Sequence, residues 1–156
     1  MTRERFEQLY LQLLPGLYRL AVSILHNRED AMDAVQQAVE KAWNASGRIR
    51  FGEEKAYITR IVINECRNIQ RYRKRVIPWA DFENENDHET NSELSDIISA
   101  LPEKNRLPLL MKYMEGYSEK EIADALWISE SAVKSRLFRA RNKLKNVILE
   151  MEEKES

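Results

Sequence analysis

The chain has 156 residues, a formal net charge of −1 and 33% charged residues, a length that holds one ordinary domain or two small ones. One cysteine, Cys66, excludes an intrachain disulfide and suits a reducing compartment. No apolar run approaches the ~20 residues of a membrane helix, and early charges argue against a signal peptide, so no intrinsic membrane span and a cytoplasmic location are expected.

With four Gly, four Pro and apolar residues recurring at spacings of three and four, an all-α chain is expected. Phe6, Leu9, Tyr10, Leu13, Leu17, Leu20 and Ile24 form a first stripe, interrupted by Pro15, which predicts a kinked or split helix. His26–Glu29 reads as a connector. Asp30 is the expected cap of a second helix, with Ala34, Val35, Ala38, Val39, Ala42 and Trp43 inward. Its outer face carries Asp30, Asp33, Gln36, Gln37 and Glu40, which reads equally as a solvated face or as a surface for a partner helix. Residues 44–53 hold two of the four glycines and read as a loop.

A third helix follows, with Ala56, Tyr57, Ile58, Ile61, Val62, Cys66 and Ile69 inward. It also carries Arg60, Asn64, Arg67, Asn68, Arg71, Arg73, Lys74 and Arg75, with Tyr57 and Tyr72 interleaved. Basic groups track a backbone, aromatic rings stack unpaired bases and Asn amides read base edges, so this face is a candidate for single-stranded nucleic acid. A solvated basic face is the plain alternative. Residues 1–75 together carry 14 Lys+Arg against 9 Asp+Glu, a net of +5.

Residues 76–95 change character, with six acids and no base. They read as a flexible acidic linker between two small helical domains, 1–75 and 96–150, with a charged tail at 151–156. In the second domain Ile97, Ile98 and Leu101 mark a short helix. Leu107, Leu109, Leu110, Tyr113 and Met114 mark another, ending near Gly116. Ser118 and Glu121 make a capping box ahead of Ile122, Ala123 and Leu126. Trp127–Ser129 is the turn, Ser129 or Ser131 the next cap, and Ala132, Val133, Leu137, Ala140 and Leu144 the inner face of the next helix. A small residue at the crossing, with Ile128 and Val133 plugging the junction, matches a helix-turn-helix whose second helix enters the major groove. Residues 131–145 hold six bases and no acid. The outward face there is Ser131, Lys134, Ser135, Arg136, Arg139 and Lys143. Early positions are expected to meet base edges, with Arg136 a candidate for bidentate contact with guanine, and later ones phosphates.

The two halves in tandem resemble the extracytoplasmic-function sigma factors of bacterial RNA polymerase. FEQLYLQLLPGLYRLAVSIL, DAMDAVQQAVEKAW and AYITRIVINECRNIQRYRKR resemble that family's second region; ISALPEKNRLPLLMKYMEGYSEKEIADALWISESAVKSRLFRARNKLK resembles its fourth. The resemblance covers most of residues 4–146 and implies a transcription initiation factor, not an enzyme. Its partners would be bacterial core RNA polymerase, promoter DNA in duplex and single-stranded form, and an anti-sigma factor able to hold it at the membrane. Asp33, Gln36, Gln37 and Glu40 would meet the polymerase. Loop 44–53 would capture a flipped −10 base, beside Arg60, Asn64, Arg67, Asn68 and Arg71. The helix-turn-helix would read the −35 element. Leu107–Met114 would face the polymerase flap, and the acidic linker would thread toward the cleft or serve as a tether. Two positions depart from the pattern: Met32 stands where an acid is usual, and Trp127 where the turn usually has glycine.

No metal or other cofactor is expected, since His26 and His88 lack a ligand array and no phosphate loop or nucleophile elbow occurs. Two other classes remain open at this point. A conventional helix-turn-helix regulator would bind duplex operators unaided. A small nuclease using Asp30, Asp33 and Glu40 would need a divalent metal.

Overall fold

The structure, a computed structural model, describes residues 2–77 and 93–155. The acidic linker lies almost wholly outside the described residues. Among those residues the elements are α1 (Arg3–Leu25), α2 (Arg28–Asn44), a 3-10 turn (Ser46–Arg48), α3 (Glu54–Val76), α4 (Glu93–Ala100), α5 (Glu103–Tyr113), α6 (Glu119–Leu126) and α7 (Glu130–Glu155), with no strand. The chain divides into two compact units, the first built on α1–α3 and the second on α4, α5, α7 and most of α6.

In the first unit α2 packs against both α1 and α3. Ala31, Ala34, Ala38 and Ala42, at spacings of three and four, are all fully buried along α2. Small side chains let neighbouring helices approach closely, and the bulk comes from the neighbours. Leu17 and Leu20 of α1 and Ile58 and Val62 of α3 are almost completely buried, each such side chain worth roughly 1.5–3 kcal/mol relative to an exposed one. Polar links reinforce the seam. The Tyr10 hydroxyl donates to the Val35 carbonyl at 2.8 Å, and burial pushes its pKa up to about 12. Lys41 pairs with the buried Glu65, Arg73 with Asp30, and the Gln70 amide donates to the Ile24 carbonyl at 3.2 Å.

Several local expectations need correction. Pro15 neither splits nor ends α1, which continues to Leu25. Pro15 is exposed, so water can take up the carbonyl that its missing N–H leaves unpaired. The connector is shorter than expected. His26 closes α1 in a left-handed conformation, φ 53°, and α2 begins at Arg28. Asn27, not Asp30, caps α2: its backbone is extended and its side-chain oxygen accepts the Asp30 amide at 3.0 Å. Asp30 sits inside the first turn, where its carboxylate is free to meet Arg73. Trp43 is 39% exposed and Val39 half-buried, whereas Glu54, Thr59, Ile63 and Glu65 of α3 are buried.

In the second unit α7 is the long helix on which α4 and α5 pack. Pro108 lies within α5 and is buried there, flanked by Leu107 and Leu109. The buried Arg106 donates to the Leu101 carbonyl at 2.8 Å and reaches the Ser99 carbonyl at 3.5 Å. It thereby satisfies groups that the end of α4 leaves without helical partners. Gly116, at φ 73°, turns the chain out of α5; the positive φ suits glycine. Tyr113 and Met114 are exposed, not inward.

The alanine seam generates a prediction. Ala38→Leu forces extra volume into a filled crossing and should lower the unfolding free energy by about 1–3 kcal/mol. Urea unfolding followed by circular dichroism reads this directly, and an unchanged midpoint would show that the helices do not meet at Ala38.

Candidate nucleic-acid interface

The helix-turn-helix is built as its side chains dictate. The Ser118 hydroxyl accepts the Glu121 amide at 3.1 Å, and the Glu121 carboxylate accepts the Ser118 amide at 2.9 Å. That reciprocal pair starts α6. Ser129, not Ser131, starts α7, its hydroxyl accepting the Ala132 amide at 3.1 Å. Between them Trp127 lies at φ 58°, and the Ile128 amide donates back to the Ala123 carbonyl at 3.0 Å. This is a Schellman closure with tryptophan at the left-handed position that glycine usually fills. Its indole is 79% exposed. Ile122, Ala123, Val133, Leu137 and Ala140 are buried.

Burial of Val133, Leu137 and Ala140 decides which side of α7 faces out. Ser131, Lys134, Ser135, Arg139 and Lys143 are exposed as expected. Arg136 is half-buried, because three residues beyond Val133 and one before Leu137 it sits at the edge of the inner face. Arg139 is therefore better placed than Arg136 for bidentate contact. Phe138, 60% exposed, and Asn142 share the exposed face. The sequence reading missed both by counting only bases and serines there. Arg141 donates to the Tyr113 hydroxyl at 2.7 Å and ties α7 to α5.

Glu119 links α5, α6 and α7. Its carboxylate accepts from Lys112 of α5 at 2.8 Å and lies 4.0 Å from Lys134 of α7. The hydrogen bond from Lys112, with the positive charges of Lys112, Lys134 and Arg141, holds its carboxyl below the usual range.

In the first unit α3 sets Arg60, Asn64, Arg67 and Arg71 at spacings of four, three and four, one stripe of the helix. Asn64, Arg67 and Arg71 are exposed and Arg60 is half-buried. Asn68 is exposed and its side-chain oxygen accepts from Arg71 at 2.7 Å, so that oxygen is engaged. Tyr72 is 59% exposed and Tyr57 half-buried. Arg73 turns away from this stripe to Asp30. On α2, Asp33, Gln36, Gln37 and Glu40 form one exposed stripe. None of the four makes an ion pair or side-chain hydrogen bond among the described residues. Their spacing opposite the alanine seam explains their exposure.

Loop 44–53 joins α2 to α3 and is built from consecutive turns. The Arg48 amide donates to the Ala45 carbonyl at 2.9 Å and the Glu53 amide to the Arg50 carbonyl at 3.1 Å. Gly52 sits at φ 88°. Phe51 is 82% exposed. Among the described residues no group of three or more His, Cys, Asp or Glu is arranged to hold a metal. No helix among them is long and apolar enough to cross a membrane.

Comparison with known proteins matches residues 9–76 to sigma-70 region 2 and residues 91–144 to sigma-70 region 4. Over 155 residues the chain is 32% identical to the ECF RNA polymerase sigma factor SigM of Mycobacterium tuberculosis, covering 94% of this chain and 78% of that protein. The sigma factor RpoE, solved in complex with the anti-sigma factor NepR from Bartonella quintana, superimposes with a TM-score of 0.76 at 24% identity, over 93% of this chain and 97% of that one. CnrH, solved in complex with the cytosolic domain of CnrY, gives a TM-score of 0.69 at 25% identity, over 94% and 89%.

Two predictions follow from the geometry of the turn and of Glu119. A left-handed non-glycine residue costs roughly 1–2 kcal/mol, part of which glycine returns as unfolded-state entropy. Trp127→Gly should therefore raise stability by up to about 1 kcal/mol in denaturant unfolding; a clear loss would show that the indole packs. Because the Glu119 pKa is lowered on folding, its contribution is present above its ordinary value of 4.5 and is lost as pH falls below that. Melting curves taken downward from about pH 6 should fall more steeply for the native protein than for Glu119→Gln. Parallel curves would mean that the Lys112 pair adds nothing.

Proposed function

The chain belongs to the extracytoplasmic-function RNA polymerase sigma factors, and from that premise we propose how its surfaces share the work of promoter recognition. It binds core RNA polymerase and directs it to specific promoters. The polymerase makes the bonds; this chain supplies specificity. The observation that carries the reading is the tandem of region 2 and region 4 matches, in order, on one chain.

The exposed Asp33, Gln36, Gln37 and Glu40 stripe meets the polymerase. Its polar groups are uncommitted within the unit and lie on a straight helical row, which suits a partner helix. The α3 stripe of Arg60, Asn64, Arg67, Asn68 and Arg71, with loop 44–53, holds the displaced −10 strand. Arginines track the phosphates there, and Asn64 is the one with both side-chain amide groups open to a base. The α7 face of Ser131, Lys134, Ser135, Arg136, Arg139 and Lys143 reads the −35 duplex, Arg139 toward bases and Lys143 toward phosphate. The protein works in the cytoplasm. An anti-sigma factor holds it inactive by covering polymerase-binding faces; that the structural neighbour RpoE was solved with the anti-sigma factor NepR supports this. A conventional regulator acting on duplex DNA unaided has no use for the α3 stripe.

Run-off transcription with purified bacterial core polymerase, with and without the protein, tests the reading on genomic promoter fragments. Specific starts that require the protein are expected. Tight unaided binding to a duplex operator, with no starts, would replace it by the conventional regulator. In the same holoenzyme Lys143→Ala should weaken promoter binding at all sequences and reduce the salt slope by about one, whereas Arg139→Ala should relax base preference at one −35 position.

A further inference from the structure

Two neighbouring residues at the start of α1 grip the two ends of loop 44–53. At the entry, Phe6 is buried and meets Trp43, the penultimate residue of α2, edge to face at 5.3 Å. At the exit, the Arg5 guanidinium lies 4.6 Å from the centre of the Phe51 ring and reaches the Glu54 carboxylate at 3.5 Å. The other oxygen of Glu54 accepts the Gly52 amide at 2.8 Å. Glu54 is buried although it opens α3. The Thr2 hydroxyl accepts the Arg5 amide at 3.2 Å and fixes the turn that carries both residues. Between its backbone turns the loop bends at Gly52, φ 88°, a conformation that glycine adopts freely. These side chains fix that bend to the start of α1.

We infer that Arg5 and Glu54 are positioning residues for the strand-capture loop: the Arg5–Glu54–Gly52 bracket sets loop 44–53 in its DNA-binding shape from outside the DNA contact surface. The inference rests on the proposed role of this loop at the −10 strand. Arg5 acts through planarity as well as charge. One guanidinium covers a ring and meets a carboxylate at once, and a lysine cannot reproduce both contacts.

The charge signs separate this from simple attraction of DNA. Removing Glu54 deletes a negative charge, so a purely electrostatic role would tighten DNA binding. A positioning role weakens it. The experiment uses holoenzyme assembled with core polymerase and a promoter carrying 2-aminopurine in the −10 strand, which brightens when the base leaves the stack. Hydrogen exchange of the Gly52 amide in the free full-length protein reports the bracket directly. Arg5→Lys and Glu54→Ala are each expected to speed Gly52 exchange at least tenfold. Each should also weaken −10 strand capture five- to tenfold, with binding to a −35 duplex unchanged. Arg5 is half-exposed, so Arg5→Lys keeps the fold testable even where Glu54→Ala unfolds the unit. Unchanged Gly52 exchange, unchanged capture after loosening, or tighter capture by Glu54→Ala would each overturn the inference. Asn64→Ala with Arg67→Ala provides the separate check. If that pair captures the strand normally while Arg5→Lys does not, the assignment of α3 fails and the bracket stands.

Discussion

The close crossing of α2 with its two neighbours is the constraint on which the first unit depends. Four alanines give α2 a smooth inner edge, so α1 and α3 supply the bulk and the helices settle along its whole length. Once that edge is buried, nothing about the outer faces is left to choose. The stripe of Asp33, Gln36, Gln37 and Glu40 must point away from the seam, and the buried side of α3 must leave Asn64, Arg67 and Arg71 outside. The exposed faces here are the complement of packing.

The second unit reaches a similar end by different chemistry. Polar links join its helices too: Arg106 on the end of α4, Glu119 between Lys112 and Lys134, and Arg141 on Tyr113. Small units bury a smaller fraction of their surface and are correspondingly marginal. Lys134 lies 4.0 Å from Glu119, so one base of the run at 131–145 has a carboxylate beside it.

Relation to the sigma factors rests on two regions in one order, whereas recognition in detail rests on single side chains. The left-handed Trp127 illustrates the gap. The turn takes the left-handed geometry that glycine adopts most easily, closed by the Ile128 amide on the Ala123 carbonyl. A strained, exposed indole there is a cost of the fold that local sequence rules would have excluded.

The sequence by itself determined the helical class, the capping box at Ser118 and Glu121, the tandem of regions and the helix faces that carry charge. These are local properties, set by periodicities of three and four and by side chains that bond within one turn. Only the tertiary structure decided that Pro15 leaves α1 whole, that Asn27 caps α2 and that Arg136 sits at the edge of the core while Arg139 faces out. It alone showed Phe138 on the exposed face of α7 and the first turn of α1 against loop 44–53. Each of these depends on which neighbour a residue meets, between segments as distant in sequence as Arg5 and Glu54. Periodicity names the face a residue occupies; packing decides what faces it.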